Sequence, residues 1–275
     1  MHETLKRGKD LANKIIHSNS DMMFAGVVAG NNAGRVWVDN LESPSSAIVW
    51  SDGLGCFQFM GCETGQVFTN ELKAFVENTL IQFLKEKNLD FFEFSADRIE
   101  WYPLIYNALS DREIKEDWQN VYKSNANSQG NDKAILPEPY CLHQVDQNFI
   151  LSIRNEKMIS NPDFLIDYIE QFWGSVESYL SLGYGYGAVD DEKIVSFGIT
   201  SFLYDKTFSI GVETLEQHRR KGLAGTLVNI LLKDLYSKNY TVWWDCMHSN
   251  IASQKTAESA DLVLDHKYKV CWFNF

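Results

Sequence analysis

The sequence has no run of 18 apolar residues, so no transmembrane helix is predicted. Its first residues, MHETLKRGKDLANKII, also lack the apolar stretch and the small-residue cleavage site of a secretory signal. We therefore expect a cytoplasmic protein with no membrane partner.

Paired cysteines are missing as well. The five cysteines are odd in number and form no CxxC motif. This pattern indicates neither a disulfide framework nor a zinc site, so no metal is predicted. We expect reduced cysteines, with Cys246 and Cys271 on apolar strands.

Basic residues are few, with 25 Lys and Arg against 37 Asp and Glu and a formal net charge of -12. A nucleic-acid ligand demands a basic surface, so this balance argues against nucleic acid as a partner. An acidic surface suits a cationic small-molecule amine, although such a surface can serve solubility alone.

Core-forming residues are plentiful. The chain of 275 residues is 45% hydrophobic, with 17 Phe, 12 Tyr and 8 Trp, which indicates a folded chain and favours two domains. The stretch SNANSQGND (124–132) has no apolar anchor and is followed by two prolines. We predict domains at 1–130 and 131–275.

The first region reads as α/β. Its predicted elements are a helix at 5–17, strands at 36–39, 47–50 and 56–61, a helix at about 70–87, a strand at 91–94 and a helix at 99–109 interrupted at Pro103. It holds no phosphate loop, metal cluster or nucleophile motif.

The second region alternates strands and helices. In chain order we predict a strand near 140–145, helices between 162 and 182, strands at 185–189, 194–203 and 208–215, a helix at about 222–237, a strand at 241–246, a helix at about 250–261, and a terminal hairpin of 262–264 with 269–275.

The segment EQHRRKGLAGT (216–226) lies between a predicted strand and a predicted helix. The first N–H groups of a helix have no internal partner and carry the positive end of the helix dipole, so an anion is stabilised there. Gly222 and Ala224 leave room beside the main chain, and Arg219, Arg220 and Lys221 add charge. The segment therefore predicts a phosphate site, whereas a basic turn that only aids solubility is the alternative.

Arg219-x-x-Gly222-x-Ala224 in this setting resembles the signature of the GNAT superfamily of N-acetyltransferases. The element order of 131–275 resembles the whole GNAT fold. The resemblance implies a mixed, largely antiparallel sheet flanked by helices, preceded here by a smaller α/β domain. That first domain is interpreted as a degenerate copy of the same fold, a substrate lid or a dimerisation element, and a homodimer is left open.

The resemblance implies acetyl-coenzyme A as cosubstrate and direct attack of a small-molecule amine on its thioester. The strand 210–214 would splay from 241–246, with a free N–H near Ile210 or Val212 directed at the thioester oxygen. The implied coenzyme-binding residues are Val212, Thr214, Arg219, Arg220, Lys221, Gly222, Leu223, Ala224, Gly225, Thr226, Asn250 and Ser253. A catalytically inactive acyl-coenzyme A binding or sensing module is the alternative function.

Asn250-x-x-Ser253 is a second point of resemblance, since many GNAT proteins carry such an asparagine against the coenzyme. Asn250 is equally suited to cap a helix, and the two roles can coexist. With Trp244-Asp245, this pattern resembles the subgroup that includes the zwittermicin A self-resistance acetyltransferase.

The general base is not fixed by the sequence. Glu213 is the carboxylate on the key strand, while Asp245 and His248 follow the neighbouring strand, and histidine titrates in the useful range. Lys206 stands where the histone-acetylating members carry their catalytic glutamate. Ala257 stands where many members carry a tyrosine that acts as the general acid. Tyr268 or water is left as the proton donor, and Gly183–Gly187 resembles the segment lining the acceptor side.

Overall fold

The computed structural model describes residues 1–18, 20–62, 66–124, 134–155 and 159–275. The chain divides into two compact units, unit 1, Met1–Gln119 with Tyr268–Phe275, and unit 2, Asn120–Lys267. Two strands, β6 (Lys115–Ser124) and β12 (Leu262–Asn274), have residues in both units. The boundary predicted after residue 130 lies outside the described residues.

Unit 1 is an α/β unit. Its other elements are β1 (His2–Thr4), α1 (Lys9–Ile15), α2 (Met22–Ala29), β2 (Gly34–Val38), β3 (Ser46–Ser51), β4 (Cys56–Gly61), α3 (Gln66–Phe75), a π-helical stretch (Val76–Leu80), α4 (Ile81–Glu86), β5 (Phe91–Ala96) and α5 (Trp101–Ala108). The sheet order is β1-β2-β3-β4-β5-β12, in which β4 and β5 are parallel and the other registers are antiparallel.

Aromatic side chains fill the core of unit 1. Phe92 on β5 stacks on Phe57 of β4 at 4.8 Å and on Phe273 of β12 at 5.2 Å between ring centroids. Such pairs add to the apolar area that these large rings bury. The end of β12 therefore completes this core, and Cys271 beside it is fully buried.

The interruption predicted at Pro103 is wrong. Helix α5 runs unbroken from Trp101 to Ala108, with Pro103 in its first turn. The N–H groups of a first helical turn have no acceptor inside the helix, so a proline there removes no helical hydrogen bond.

Unit 2 has a mixed sheet in the order β12-β6-β11-β10-β9-β8-β7. Its other elements are β7 (Cys141–Gln144), α6 (Gln147–Asn155), α7 (Asp163–Trp173), α8 (Val176–Leu182), β8 (Gly185–Asp190), β9 (Lys193–Tyr204), β10 (Thr207–Thr214), a 3-10 turn (Glu216–His218), α9 (Leu223–Ser237), β11 (Thr241–Met247) and α10 (Ile251–Ser259). The pairs β7–β8, β8–β9 and β9–β10 are antiparallel, whereas β10 and β11 are parallel.

The hairpin predicted at 262–275 is wrong, because 262–274 forms the single strand β12. The charged residues of 265–268 suggest a turn by polarity, but they include neither Gly nor Pro. Asp265 instead pairs with Lys123 of β6 at 2.7 Å, so the polar segment lies within the sheet.

Helices cover both faces of the β8–β10 region in unit 2. On one side, a Cβ at Gly198 of β9 would lie 3.5 Å from Cβ of Leu227 in α9. On the other, Phe197 of β9 packs against Tyr168 and Phe164 of α7, each at 5.0 Å. We call these sides the α9 face and the α7 face. None of the helices in the described ranges is long and apolar enough to cross a membrane.

Candidate functional site

The site begins where the parallel strands β10 and β11 part. Within the described residues, β10 pairs with β11 through Thr207–Ser209 alone, opposite Thr241–Trp243. Pairing with β9 continues on the other side to Thr214. The stretch 210–214 is thus an edge facing a gap, which is the predicted splay.

The backbone of this edge directs N–H groups into the gap. Leu215 N–H donates to the Val195 carbonyl at 2.9 Å, in register with the β9–β10 ladder. Hydrogen-bonded pairs alternate along an antiparallel ladder, so the N–H groups of Gly211 and Glu213 also point to β9. Those of Ile210, Val212 and Thr214 therefore point away from β9. The Ile210 N–H belongs to the last rung with β11, at Ser209 and Trp243, and the N–H groups of Val212 and Thr214 face the gap.

The segment after β10 presents further free amides. Arg219 N–H donates to the Glu216 carbonyl at 3.2 Å, and Thr226 N–H donates to the Gly222 carbonyl at 3.0 Å. In the described part of the chain, the amides of 220–225 have no backbone acceptor. Consecutive unsatisfied donors at a helix start form an anion site. Arg219 and Thr226, which we also predict as binding residues, could contribute only their side chains.

Gly222 sets the direction of the chain at this point. It is the N-cap of α9 with φ 81°, a left-handed conformation, and a Cβ there would meet nothing within 4 Å. Glycine is therefore favoured because another residue would be strained at this φ, and not because neighbouring atoms would clash with a side chain. The open space beside it is consistent with a ligand against the main chain.

Two arginines of the segment differ in what they bind. Arg219 Nε donates to the Thr214 carbonyl at 3.1 Å, which ties the segment to the end of β10. Arg220 has φ 60° and an exposed side chain without a partner among the described residues. Arg220 is thus free to contact an anion.

Lys221 and His218 anchor the segment to the residue before β7. Lys221 Nζ donates to Tyr140 Oη at 3.0 Å, and Tyr140 Oη lies 3.1 Å from His218 Nδ1. His218 Nδ1 is 4.0 Å from a carboxylate oxygen of Asp190. Tyr140 and Asp190 are not among the predicted site residues, because nothing in their local pattern links them to 216–226.

Helix α10 follows β11 and holds the second predicted group. Asn250 Oδ1 accepts the N–H of Ser253 at 3.1 Å, so Asn250 is the N-cap. Ser253 Oγ accepts from the Trp244 indole at 3.0 Å. The capping role is therefore present, and it leaves the Asn250 amide nitrogen for another contact.

The three candidate bases occupy different surroundings. Glu213 is exposed on the open part of β10, and Asp245 is half-buried on β11 beyond its last residue paired with β10. His248 Nδ1 lies 3.2 Å from Asn120 Oδ1 and 3.4 Å from Lys267 Nζ. The structure thus places Glu213 on the open edge itself and His248 in a separate polar cluster.

Two glycines of the segment Gly183–Gly187, Gly183 and Gly185, serve packing. A Cβ at Gly185 would lie 2.2 Å from Ile199, and one at Gly183 would lie 2.4 Å from the Tyr179 ring. A cavity of about 260 Å³ adjoins this segment and is lined by Asp146, Gln147, Leu182 and Tyr184 among others. Asp146 caps α6 through Phe149 N–H at 2.9 Å.

The cysteines have no disulfide partner in the described chain, and Cys246 and Cys271 are buried. Burial raises the pKa of the Cys246 thiol, and burial likewise raises the pKa of Cys271 to about 11. Both thiols are therefore protonated at neutral pH, so neither serves as a thiolate nucleophile.

Comparison with known proteins agrees with this geometry. A family model described as GNAT acetyltransferase matches residues 13–271. An uncharacterized N-acetyltransferase of Bacillus subtilis (strain 168), YdfB, is 28% identical over 111 residues, and the match spans 40% of this chain and 42% of that relative.

Solved structures share the fold. A GCN5-related N-acetyltransferase-like protein from Streptococcus suis 89/1591 aligns with TM-score 0.61 and 21% identity over 88% of both chains. A tandem GNAT protein from the clavulanic acid biosynthesis pathway, solved without acetyl-coenzyme A, aligns with TM-score 0.58 and 10% identity over 92% of this chain and 87% of that one. The predicted fold class, a mixed sheet flanked by helices and preceded by an α/β region, is confirmed.

Proposed function

This chain belongs to the GNAT acetyltransferase family, and on that premise we propose that unit 2 is an acetyl-coenzyme A-dependent N-acetyltransferase acting on a small-molecule amine. The observation that carries the proposal is the combination of an open strand edge, 210–214, with the free amides of 220–225 just after it. The open strand edge suits an extended chain, and the free amides suit a diphosphate.

The residues present fit such a ligand. The amides of 220–225, the guanidinium of Arg220 and the open space at Gly222 would hold the diphosphate, and the outward N–H groups of Val212 and Thr214 would bind the pantetheine arm. Leu223, Ala224 and Gly225 would contribute main chain, Arg219 and Lys221 shape the segment, and Asn250 and Ser253 would bind the coenzyme from the start of α10.

Acetyl-coenzyme A supplies a thioester whose carbon–sulfur bond breaks as the carbon–nitrogen bond to the amine forms, while one proton passes from the amine to the thiolate. Of the two predicted donors, the preorganised N–H of Val212 faces the gap and would stabilise the developing oxyanion by about 3 kcal/mol. Among Glu213, Asp245 and His248, we favour Glu213 as base because it is exposed on the open edge.

A coenzyme-binding module without turnover is the second candidate. It is favoured by Ala257, which is fully buried on α10 at the position where the resemblance implies a tyrosine acting as general acid. Proximity and oxyanion stabilisation can sustain transfer without that acid, so we place the enzyme first. The narrower likeness to the zwittermicin A resistance subgroup stays a prediction, as do a cytoplasmic location and the absence of nucleic-acid and membrane partners.

Calorimetric titration with acetyl-coenzyme A, followed by a thiol-release screen over diverse amines, tests the proposal. We expect binding in the natural chain and its loss in Gly222→Glu, because a carboxylate would enter the anion site. Gly55→Glu is the matched control, since Gly55 is also left-handed with φ 69° and also has nothing within 4 Å of a Cβ.

The outcomes separate the alternatives. Binding that survives Gly222→Glu removes this segment from the site and contradicts the proposal. Binding with no thiol released on any amine favours the non-catalytic module.

A further inference from the structure

A tyrosine on the α7 face occupies the space beside the open strand edge. An ideal Cβ on Gly211 of β10 would lie 1.6 Å from Tyr168 Oη and 3.2 Å from Ser201 Oγ. Tyr168 Oη and Ser201 Oγ are 3.2 Å apart. Position 211 thus has no side chain of its own, and the tyrosine hydroxyl fills that place.

Glu213 lies on the same face. Side chains two residues apart along a strand share a face, so Glu213 projects to the side where Tyr168 meets Gly211. Its side chain is exposed, whereas the directly opposite Phe197 on β9 is fully buried. A carboxylate therefore stands at the water-facing margin of an apolar surface.

The hydroxyl of Tyr168 is protonated at neutral pH. Burial raises the pKa of Tyr168 to about 12, the Ser201 hydrogen bond lowers it in part, and the Glu213 charge adds to the rise. The group is therefore available as a neutral donor and does not compete with Glu213 for a cation.

Aromatic side chains pack around the Tyr168 ring. The Tyr168 ring lies 4.5 Å from Phe172 and 5.0 Å from Phe197, and Phe164 lies 5.0 Å from Phe197. Phe164, Tyr168 and Phe172 are all half-buried on α7. Partly exposed rings beside a carboxylate match an ammonium group carried on an apolar body.

The α9 face and the α7 face present different groups beside the gap. Helix α9 begins within the segment of free amides, 220–225, and packs on the α9 face of β9, while Tyr168 and Glu213 lie on the α7 face. We propose that the acceptor approaches on the α7 face and is a primary amine on an aromatic or apolar body, with its ammonium on Glu213 and its body against Tyr168 and Phe172. This inference rests on the proposed transferase function, whose coenzyme would occupy the gap.

The test is calorimetric titration of the full chain saturated with coenzyme A. The ligands are 2-phenylethylamine, 2-phenylethanol, which lacks the cation, and ethylamine, which lacks the ring. We expect 2-phenylethylamine to bind at least about tenfold more tightly than either analogue, because each analogue loses one of the two contacts.

Two variants assign the contacts. Glu213→Gln should weaken 2-phenylethylamine about tenfold and leave 2-phenylethanol unchanged. Tyr168→Leu should weaken 2-phenylethylamine and leave ethylamine unchanged. Glu177→Gln on α8 and Tyr204→Leu at the end of β9 are the matched controls and should change none of these affinities. Coenzyme A affinity, measured first for each variant, reports that unit 2 is folded.

Equal affinity for 2-phenylethylamine and 2-phenylethanol, or no effect of Glu213→Gln in a chain that binds coenzyme A, overturns the inference and leaves the transferase proposal intact. Failure of the natural chain to bind coenzyme A overturns the transferase proposal, and the acceptor site falls with it.

Discussion

The two units contain the same local arrangement, two parallel neighbouring strands joined by a helical segment, but they end it differently. In unit 1, β4 and β5 pair through Phe57–Phe59 and Phe94–Ala96, and Asp97 N–H extends the contact to the Phe59 carbonyl at 3.0 Å. In unit 2, the pairing of β10 with β11 stops at Ser209, and 210–214 continues without it. One strand pair is closed at its carboxyl end and the other is open.

A buried carboxylate closes the pair in unit 1. Asp97 Oδ2 accepts the Gly61 N–H at 3.1 Å and the Ser20 hydroxyl at 3.0 Å, and lies 2.8 Å from His17 Nε2. Burial raises the pKa of Asp97, while the Gly61 amide, His17 and Ser20 lower it in part. The carboxylate thereby accepts the hydrogen bond of the Gly61 N–H at the end of β4, beyond the last residue paired with β5.

The difference teaches where a ligand site comes from in this arrangement. Backbone donors at the end of a parallel pair need acceptors. Unit 1 supplies one from its own side chain, whereas unit 2 leaves the donors of 212 and 220–225 without a backbone acceptor in the described residues. The same strand geometry thus yields stability in one unit and a binding edge in the other.

The largest effect should come from opening the closed pair. Asp97→Ala removes the acceptor for Gly61, Ser20 and His17, so we expect the free energy of unfolding to fall by about 3 kcal/mol, measured by denaturant unfolding. Asp111→Ala removes a half-exposed ion pair with Lys73 and should leave the free energy of unfolding almost unchanged, because water screens such pairs. Equal effects of the two variants would contradict the closing role of Asp97.

A smaller effect should come from removing one donor of the open edge. Val212→Pro deletes an N–H that points into the gap and keeps the ladder with β9, since proline is tolerated where the N–H side of a strand is unpaired. We expect the chain to fold and its kcat/KM for thiol release to fall about 100-fold.

Glu213→Pro is the companion variant, because it deletes an N–H that points to β9. It should lower the melting temperature more than Val212→Pro does. The reverse order of stability would mean that the amides of this edge face the other way.

The smallest effect compares two left-handed glycines, one in each unit. Gly222→Ala and Gly55→Ala should each lower the free energy of unfolding by about 1 kcal/mol, since an alanine is strained at positive φ even in open space. Only Gly222→Ala should also weaken acetyl-coenzyme A binding. A similar loss of acetyl-coenzyme A binding in Gly55→Ala would contradict the assignment of the coenzyme site to unit 2.

Much of unit 2 could be predicted from the sequence, because its signals are local. The alternation in 208–215, the glycine and basic residues of 216–226 and the apolar spacing from Leu223 to Leu235 lie in one stretch, and β10 and α9 form there. Periodicity also located most strands of unit 1. Helices α2 and α6 were missed; α2 is apolar on all sides and therefore shows no helical periodicity.

The rest depends on contacts between distant parts of the chain. Tyr168 lies beside Gly211, Tyr140 beside Lys221, and Asp97 beside His17. No spacing rule connects such pairs, because the sheet order that brings them together is set by tertiary packing. The contact of Tyr168 with Gly211 and the closed strand pair were therefore absent from the sequence-based predictions, whereas the segment 216–226 was not.

The strand β12 has a consequence for biosynthesis. Its residues Cys271 and Phe273 are buried in the core of unit 1, and Phe273 stacks on Phe92. Because translation proceeds from the amino terminus, that aromatic stack cannot form until Phe273 has left the ribosome, long after Phe92 has emerged. Unit 1, although most of it is encoded first, must therefore wait with one edge of its sheet unpaired until β12 has been synthesised.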